Sequence, residues 1–276
     1  MKHSALSSLF AKKSNGFYLA IFFIFFAITI IFSLVLKGIN VYKNASFTGD
    51  SIMLLVVTNR DSYIMRLDKK NEQLSLLKIY DAEIDTNNLT RASIRTGVPL
   101  HGAFKITDPN ADIRDIVTVK GVVQLILRND IKLIHLNELD VLRIAYAAQK
   151  ITTENTTVRE IKNYVNDRSI ISQIDTELYE LFRDPQIINE RISIEVMNAT
   201  TTSGLATAVA HMLENGGYTV VAIRSSDIQK NSSIQTQLTD PVTVQDIKKI
   251  FRFPETSLPK NAVADIRIII GEDAIE

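Results

Sequence analysis

Ile192-Ser193-Ile194-Glu195-Val196-Met197-Asn198-Ala199-Thr200-Thr201-Thr202-Ser203-Gly204-Leu205-Ala206 passes from an alternating apolar pattern, through small polar residues, into a helical pattern. Alternation from Ile192 to Asn198 predicts a half-buried strand, Ala199 to Ser203 a loop, and Gly204 to about Glu214 a helix. Asn215-Gly216-Gly217 ends that helix, because glycine reaches the left-handed conformation without a steric penalty. Tyr218 to Arg224 then reads as a second strand, which makes the unit a right-handed βαβ crossover. Further along, Ile234 to Leu238 reads as a strand, Pro241 to Phe251 as a helix, and Ala264 to Ile270 as a last strand before Gly271-Glu272-Asp273. The expectation is a small two-layer α/β domain over residues 191–276.

Upstream, Ser51 to Val57, Ser62 to Leu67 and Gln73 to Tyr80 have strand length and are separated by turns, as in an antiparallel meander. Asp81 to Gly102 has turn chemistry, with room for a short helix. Asp112 to Arg128 reads as a helix, although its valine-rich second half also suits a strand. Ile131 to Leu136 reads as a strand, and Asn137 caps a helix through Gln149. Thr157-Val158-Arg159-Glu160 fits a capping box and predicts a helix through about Val165. Asp175 opens another, Thr176 to Arg183, that stops ahead of Pro185, and Asp184 caps a final turn from Pro185 to Asn189.

Phe17 to Leu36 is a run of twenty uncharged residues, fifteen of them Phe, Ile, Leu or Val. A helix of that length spans roughly 30 Å, the thickness of the hydrocarbon core. A cleaved signal peptide shares the basic start, but this run is too long, and Lys37-Gly38-Ile39-Asn40-Val41-Tyr42-Lys43 lacks the small residues of a cleavage site. An uncleaved anchor fits better than a cleaved leader or a buried soluble helix. Lys2, Lys12 and Lys13 precede the run while Lys37 and Lys43 follow it, a bias that puts the amino terminus inside and residues from about 44 onward outside. The expected layout is a tail (1–16), a transmembrane helix (17–36), a linker (37–49), an α/β domain (50–154), a helical connector (155–190) and the carboxy-terminal domain.

Formal net charge is zero, with no basic patch pointing to nucleic acid, and the chain has no cysteine, which removes disulfides, thiolate metal sites and cysteine nucleophiles. His3, His101, His135 and His211 are scattered without a second ligand at helical or strand spacing, so no metal is expected. Ser-His-Asp catalysis lacks a Gly-x-Ser-x-Gly element, and no glycine-rich phosphate loop follows a strand.

Ile194-x-Val196-x-Asn198-Ala199-Thr200, then Gly204-Leu205-Ala206, then Leu213-x-x-Gly216-Gly217-Tyr218-x-Val220, and finally Asp265 to Asp273 resemble the LytR C-terminal domain over about 80 residues. Proteins with that domain often carry a LytR-CpsA-Psr domain before it, whose members transfer glycopolymers from polyprenyl pyrophosphate carriers to the cell wall, and a single-pass anchor before that. Asp61-Ser62-Tyr63-Ile64-Met65 followed by Gln73 to Tyr80 is similar to that domain's opening, and Ile131 to Ala147 to its later strand and helix. The resemblance implies an acidic residue after the first strand and an arginine at the end of the next strands, yet here that end reads Lys78-Ile79-Tyr80-Asp81. Arg91 and Arg95 replace the missing group only if their loop folds back.

The expected protein is therefore a membrane-anchored envelope protein with a divergent LytR-CpsA-Psr-like region, serving as a non-catalytic binding or scaffolding module and needing no cofactor. The alternative is a transferase on a lipid pyrophosphate, using Asp61, Asp81, Arg91 and Arg95 with Mg2+. Partners are the cytoplasmic membrane and a peptidoglycan, wall glycopolymer or envelope protein. Ligand contacts are expected from Asn198, Thr200, Ser203 and Gly204, because hydroxyls and free amides gather where that loop enters its helix. Asn-x-Ser/Thr triplets at Asn44, Asn88, Asn155, Asn198 and Asn231 reflect an Asn- and Thr-rich composition.

Overall fold

The structure is a computed structural model that describes residues 19, 21–33, 35–39, 47, 50–79, 84–161 and 176–274, in two compact units, Met1–Ala45 and Ser46–Glu276. The expected tail, most of the linker, and Asp81 and Asp175 lie outside the described residues.

In the first unit, α1 (Ile21–Ile39) is a helix of 19 residues with mean hydropathy 2.5, long and apolar enough to cross a membrane. Its phenylalanines and isoleucines are exposed along its length, and Phe22 stacks on Phe26 one turn on. Thr29 Oγ1 donates to Phe25 O at 2.9 Å, so its hydroxyl is satisfied within the helix.

In the second unit, β1 (Ser51–Val57), β2 (Ser62–Asp68) and β3 (Gln73–Ile79) form the expected antiparallel meander. They sit in a six-stranded mixed sheet of order β5-β4-β1-β2-β3-β6, with β4 (Gly102–Ile106), β5 (Ile131–Ile134) and β6 (Thr156–Ile161). Three helices cover one face: α3 (Ile113–Ile116), α4 (Val119–Arg128) and α5 (Glu138–Ala148) supply Ile116, Val122, Leu125, Val141 and Ile144 to a core with Ile52, Leu54, Val56 and Phe104. On the other face, α2 (Leu89–Thr96) and α6 (176–182) bring Leu89, Ala92, Leu178 and Phe182 against Met53, Leu55, Ile64 and Leu77. Burial on both faces explains why β1 reads as an unbroken apolar run.

Two expectations are corrected. Thr157 to Glu160 does not open a helix: the segment is β6, parallel to β3, because β-branched Thr156, Thr157, Val158 and Ile161 suit a strand and pairing with β3 outweighs a local capping signal. Asp112 to Arg128 is two helices, each with its own cap, Asp112 in a capping box and Thr118 accepting from Gly121 N at 3.2 Å. The loop from Asp81 contains α2, capped by Asn88 and closed by Gly97 at φ 68°, and its end leads into β4, which was not expected.

The carboxy-terminal region follows its expected order. After α7 (Pro185–Glu190), capped by Asp184, come β7 (Ser193–Asn198), α8 (Leu205–Asn215), β8 (Thr219–Ser225), β9 (Ser233–Thr236), α9 (Val242–Phe251), β10 (Glu255–Thr256) and β11 (Ile266–Ile270). The sheet order is β10-β9-β11-β7-β8, with β7 parallel to both β8 and β11. Ile194, Val196, Ile234, Ile266, Ile268 and Ile270 face one core with Val209, Leu213, Val244 and Ile247 of α8 and α9. Two-residue β10 gave no sequence signal.

Candidate functional site

The chain leaves β7 toward β8 on one side and returns by β11 on the other, so the carboxyl ends of β7 and β11 flank a topological switch point, where open α/β sheets bind ligands. The Asn198–Gly204 loop stands there, facing Gly271-Glu272-Asp273. Asn198 organises it: Oδ1 accepts from Thr200 N at 3.1 Å and Thr200 Oγ1 at 2.8 Å, and Nδ2 donates to Thr202 O at 2.8 Å. Thr200 Oγ1 in turn accepts from Thr202 N at 3.1 Å.

The loop after β11 meets it through Glu272 and also holds Ser232, ahead of β9. Glu272 Oε1 accepts from Thr201 N at 2.8 Å, Asp273 Oδ1 from Ser232 N at 2.8 Å and from the Ser232 hydroxyl, and Ser232 Oγ from Gly271 N at 2.9 Å. Gly271 is required by close approach, because a Cβ there would stand 2.6 Å from Asn231 C. Asn198 and Thr200 thus hold the loop's shape, while Ser203 and Gly204 are exposed at the start of α8, with Gly204 at φ 80° and no side-chain cap.

In the first sheet, Asp61 forms an ion pair of 3.0 Å with Lys78 Nζ, which also lies 5.9 Å from the Tyr63 ring centroid. Burial pushes the Tyr63 hydroxyl up, Lys78 opposes the shift, and Asp61 adds to it. The strand end that lacks the expected arginine therefore places a lysine on the acid, a pairing fixed by the register Tyr63↔Lys78. Arg91 and Arg95 are exposed on α2, which covers the face opposite the one into which Tyr63 packs, and neither contacts Asp61. No group of three His, Asp or Glu fit to hold a metal occurs among the described residues.

Sequence reasoning missed a polar junction between the two sheets. His101 Nδ1 accepts from Met53 N at 2.9 Å, so its proton sits on Nε2 and is donated to Asp246 Oδ1 at 2.9 Å. Tyr218 donates its hydroxyl to Asp246 Oδ2. Burial drives the Tyr218 hydroxyl well above its ordinary value, and Asp246 adds to this. Burial also acts to raise the Asp246 carboxyl, but His101, Tyr218 and Lys249 outweigh it and hold it low. Nearby, Asn215 Nδ2 donates to Gly97 O at 2.9 Å and Arg252 Nη2 to His135 O at 2.7 Å. With His101 and Tyr218 both buried, the cluster ties the halves of the unit together. Its bonds across the junction, His101–Asp246, Asn215–Gly97 and Arg252–His135, join residues more than a hundred positions apart, and the lone His101 carried no sign of it.

Residues 191–273 match the family described as LytR cell envelope-related transcriptional attenuator, LytR_C. The match covers the carboxy-terminal region alone, and the family's description suggests a cell-envelope association. No curated protein matches the chain. Among solved structures, the Lin1025 protein from Listeria innocua is similar at 10% identity over 68% of this chain and 87% of that one, with a TM-score of 0.17.

Proposed function

We propose that the chain is a membrane-anchored, extracytoplasmic cell-envelope protein whose outer part binds or scaffolds at the wall side without catalysis of its own. The observation that carries this is the LytR_C match over 191–273, joined in one chain to an apolar helix of membrane-spanning length. In this arrangement α1 holds the protein in the cytoplasmic membrane with its amino terminus inside. The ligand is peptidoglycan, a wall glycopolymer or another envelope protein. Ser203 and Gly204 are the contacts expected of the 198–204 loop, which Asn198 and Thr200 keep in shape.

Protease added to intact spheroplasts should digest everything beyond α1; protection that is lost only on lysis refutes the topology. The full chain in detergent should be retained on purified wall sacculi, and absence of retention refutes wall binding.

A transferase acting on a lipid pyrophosphate is favoured by one observation, the Asp61–Lys78 pair. Lysine is a point charge and lacks the planar fork that grips phosphate oxygens in two places, which weakens that case. Phosphate release from polyprenyl pyrophosphate with Mg2+, abolished by Asp61→Ala, would overturn the non-catalytic assignment.

A further inference from the structure

Glu195, Arg267 and Arg224 lie on the face of the five-stranded sheet turned away from α8 and α9, since Ile194, Val196, Ile266 and Ile268 between them face the core. The row across the strands runs Gln235, Arg267, Glu195, Ala222, and Arg224 stands two residues along β8. Glu195 is wholly buried, at 0% exposure, on this face, which carries no helix among the described residues, and the two guanidiniums close over it. Arg267 Nε donates to Oε2 at 2.6 Å, and Arg224 Nε forms an ion pair with Oε1 at 3.2 Å, outside hydrogen-bond geometry.

Hiding a carboxylate between arginines is a poor source of stability, since desolvation cancels most of the attraction. The arrangement does fix two guanidiniums in place. Both point their Nε at the same carboxylate, so their terminal nitrogens remain. Arg267 Nη1 reaches Gln235 Oε1 at 3.4 Å, while Arg267 Nη2 and both terminal nitrogens of Arg224 have no partner among the described residues. Arg224 is 54% exposed, which opens this edge to a ligand. Two cations and one anion leave a single positive charge, and Asp265, just ahead of β11, is turned to Ser193.

We propose that Arg224 and Arg267, aligned by Glu195, form a clamp for a phosphodiester group of an anionic polymer. A phosphodiester carries one negative charge and two free oxygens, which matches the residual charge and the outward guanidinium edges. The proposal rests on the wall-side assignment for the source of the polymer, and on Glu195 for its geometry.

The test is equilibrium binding of fluorescent poly(glycerol phosphate) to the full chain in nanodiscs, with poly-glutamate as the carboxylate comparison. Arg224→Gln should weaken phosphate-polymer binding about tenfold or more, the loss of charge-assisted hydrogen bonds. Arg224→Lys should restore part of it, and an unchanged thermal melt by circular dichroism confirms that the fold survives. Equal affinity for the two polymers, or binding indifferent to Arg224→Gln, overturns the clamp. Chain that still holds to sacculi after either of those results keeps the wall-binding assignment while losing the clamp; no retention at all removes the assignment itself.

Discussion

In β1 every residue from Ile52 to Val56 enters an apolar core, on alternating sides of a sheet covered by helices on both faces. In β7 the same alternation divides by chemistry: Ile194 and Val196 enter a core, whereas Glu195 enters a cluster of charges. The first sheet hides its faces, burying even the Arg66–Asp68 pair of β2, and leaves a partly open charge pair at a strand end, where Asp61 meets Lys78. The second has no helix on one face among the described residues and therefore has somewhere to display recognition groups. A sheet's layer count thus decides where on it a site can be.

The contrast breaks first in the cores. Phe104→Ala, fully buried in β4, should destabilise the second unit by about 4 kcal/mol in chemical denaturation, while Met197→Ala on the half-buried face should cost about 1 kcal/mol or less. Similar losses from the two would mean that the helix-free face is packed after all. Glu195→Ala should cost about 3 kcal/mol, because it leaves two guanidiniums facing each other without their carboxylate. Replacing Glu195, Arg224 and Arg267 together with apolar residues should recover most of that stability while removing binding of the phosphate polymer, and a triple variant as unstable as the single one would make the triad structural.

Gly271→Ala should cost about 1–3 kcal/mol, since its new methyl meets the backbone of Asn231 and Ser232 rather than a movable side chain. Asp61→Ala should cost about 1 kcal/mol at most, because the side chains of Asp61 and Lys78 retain 19% and 20% of their exposure and the pair is partly screened. A larger loss would mark Asp61 as a structural linchpin of the first sheet.

How far these features were legible follows from the range of the interactions behind them. Strands β1 to β3, helix α5 and the β7-α8-β8 unit declare themselves through local periodicity, through the Asn137 cap and through Gly216-Gly217. Strand β6 could not be read locally: Thr157 and Glu160 have the spacing of a cap, and only pairing with β3, some eighty residues earlier, decides the matter. Four residues of the Asn198–Gly204 loop were picked out in sequence, and two of them, Asn198 and Thr200, are taken up by bonds within the loop, whereas the hold of Glu272 on Thr201 arrives from the far end of the domain and had no local sign. The arginines over Glu195 have no local signature at all, since β7, β8 and β11 bring them together across 72 residues of chain.

The smallest expected effect concerns pH, at the end of the half-covered sheet. The Asp265 carboxylate accepts from Ser193 Oγ at 2.6 Å and Ser193 N at 2.9 Å, tying the start of β11 to the start of β7. The Ser193 hydroxyl, and then its amide, hold this carboxyl below its ordinary value of 3.8. A group whose folded value is depressed stabilises the fold above its unfolded value, and that contribution fades as pH falls through the folded one. Stability of the natural chain should therefore decline with acid below about pH 4 partly through Asp265. Asp265→Asn, which keeps the shape without the charge, should show a shallower decline over that window and the same slope above it. Because the group is largely exposed, the difference should be smaller than any loss above, and it is measured as unfolding midpoints of both proteins across the acid range. Identical acid slopes would mean that Ser193 contributes nothing to the charge state of Asp265, and the two strand starts would then be held by β7–β11 pairing alone.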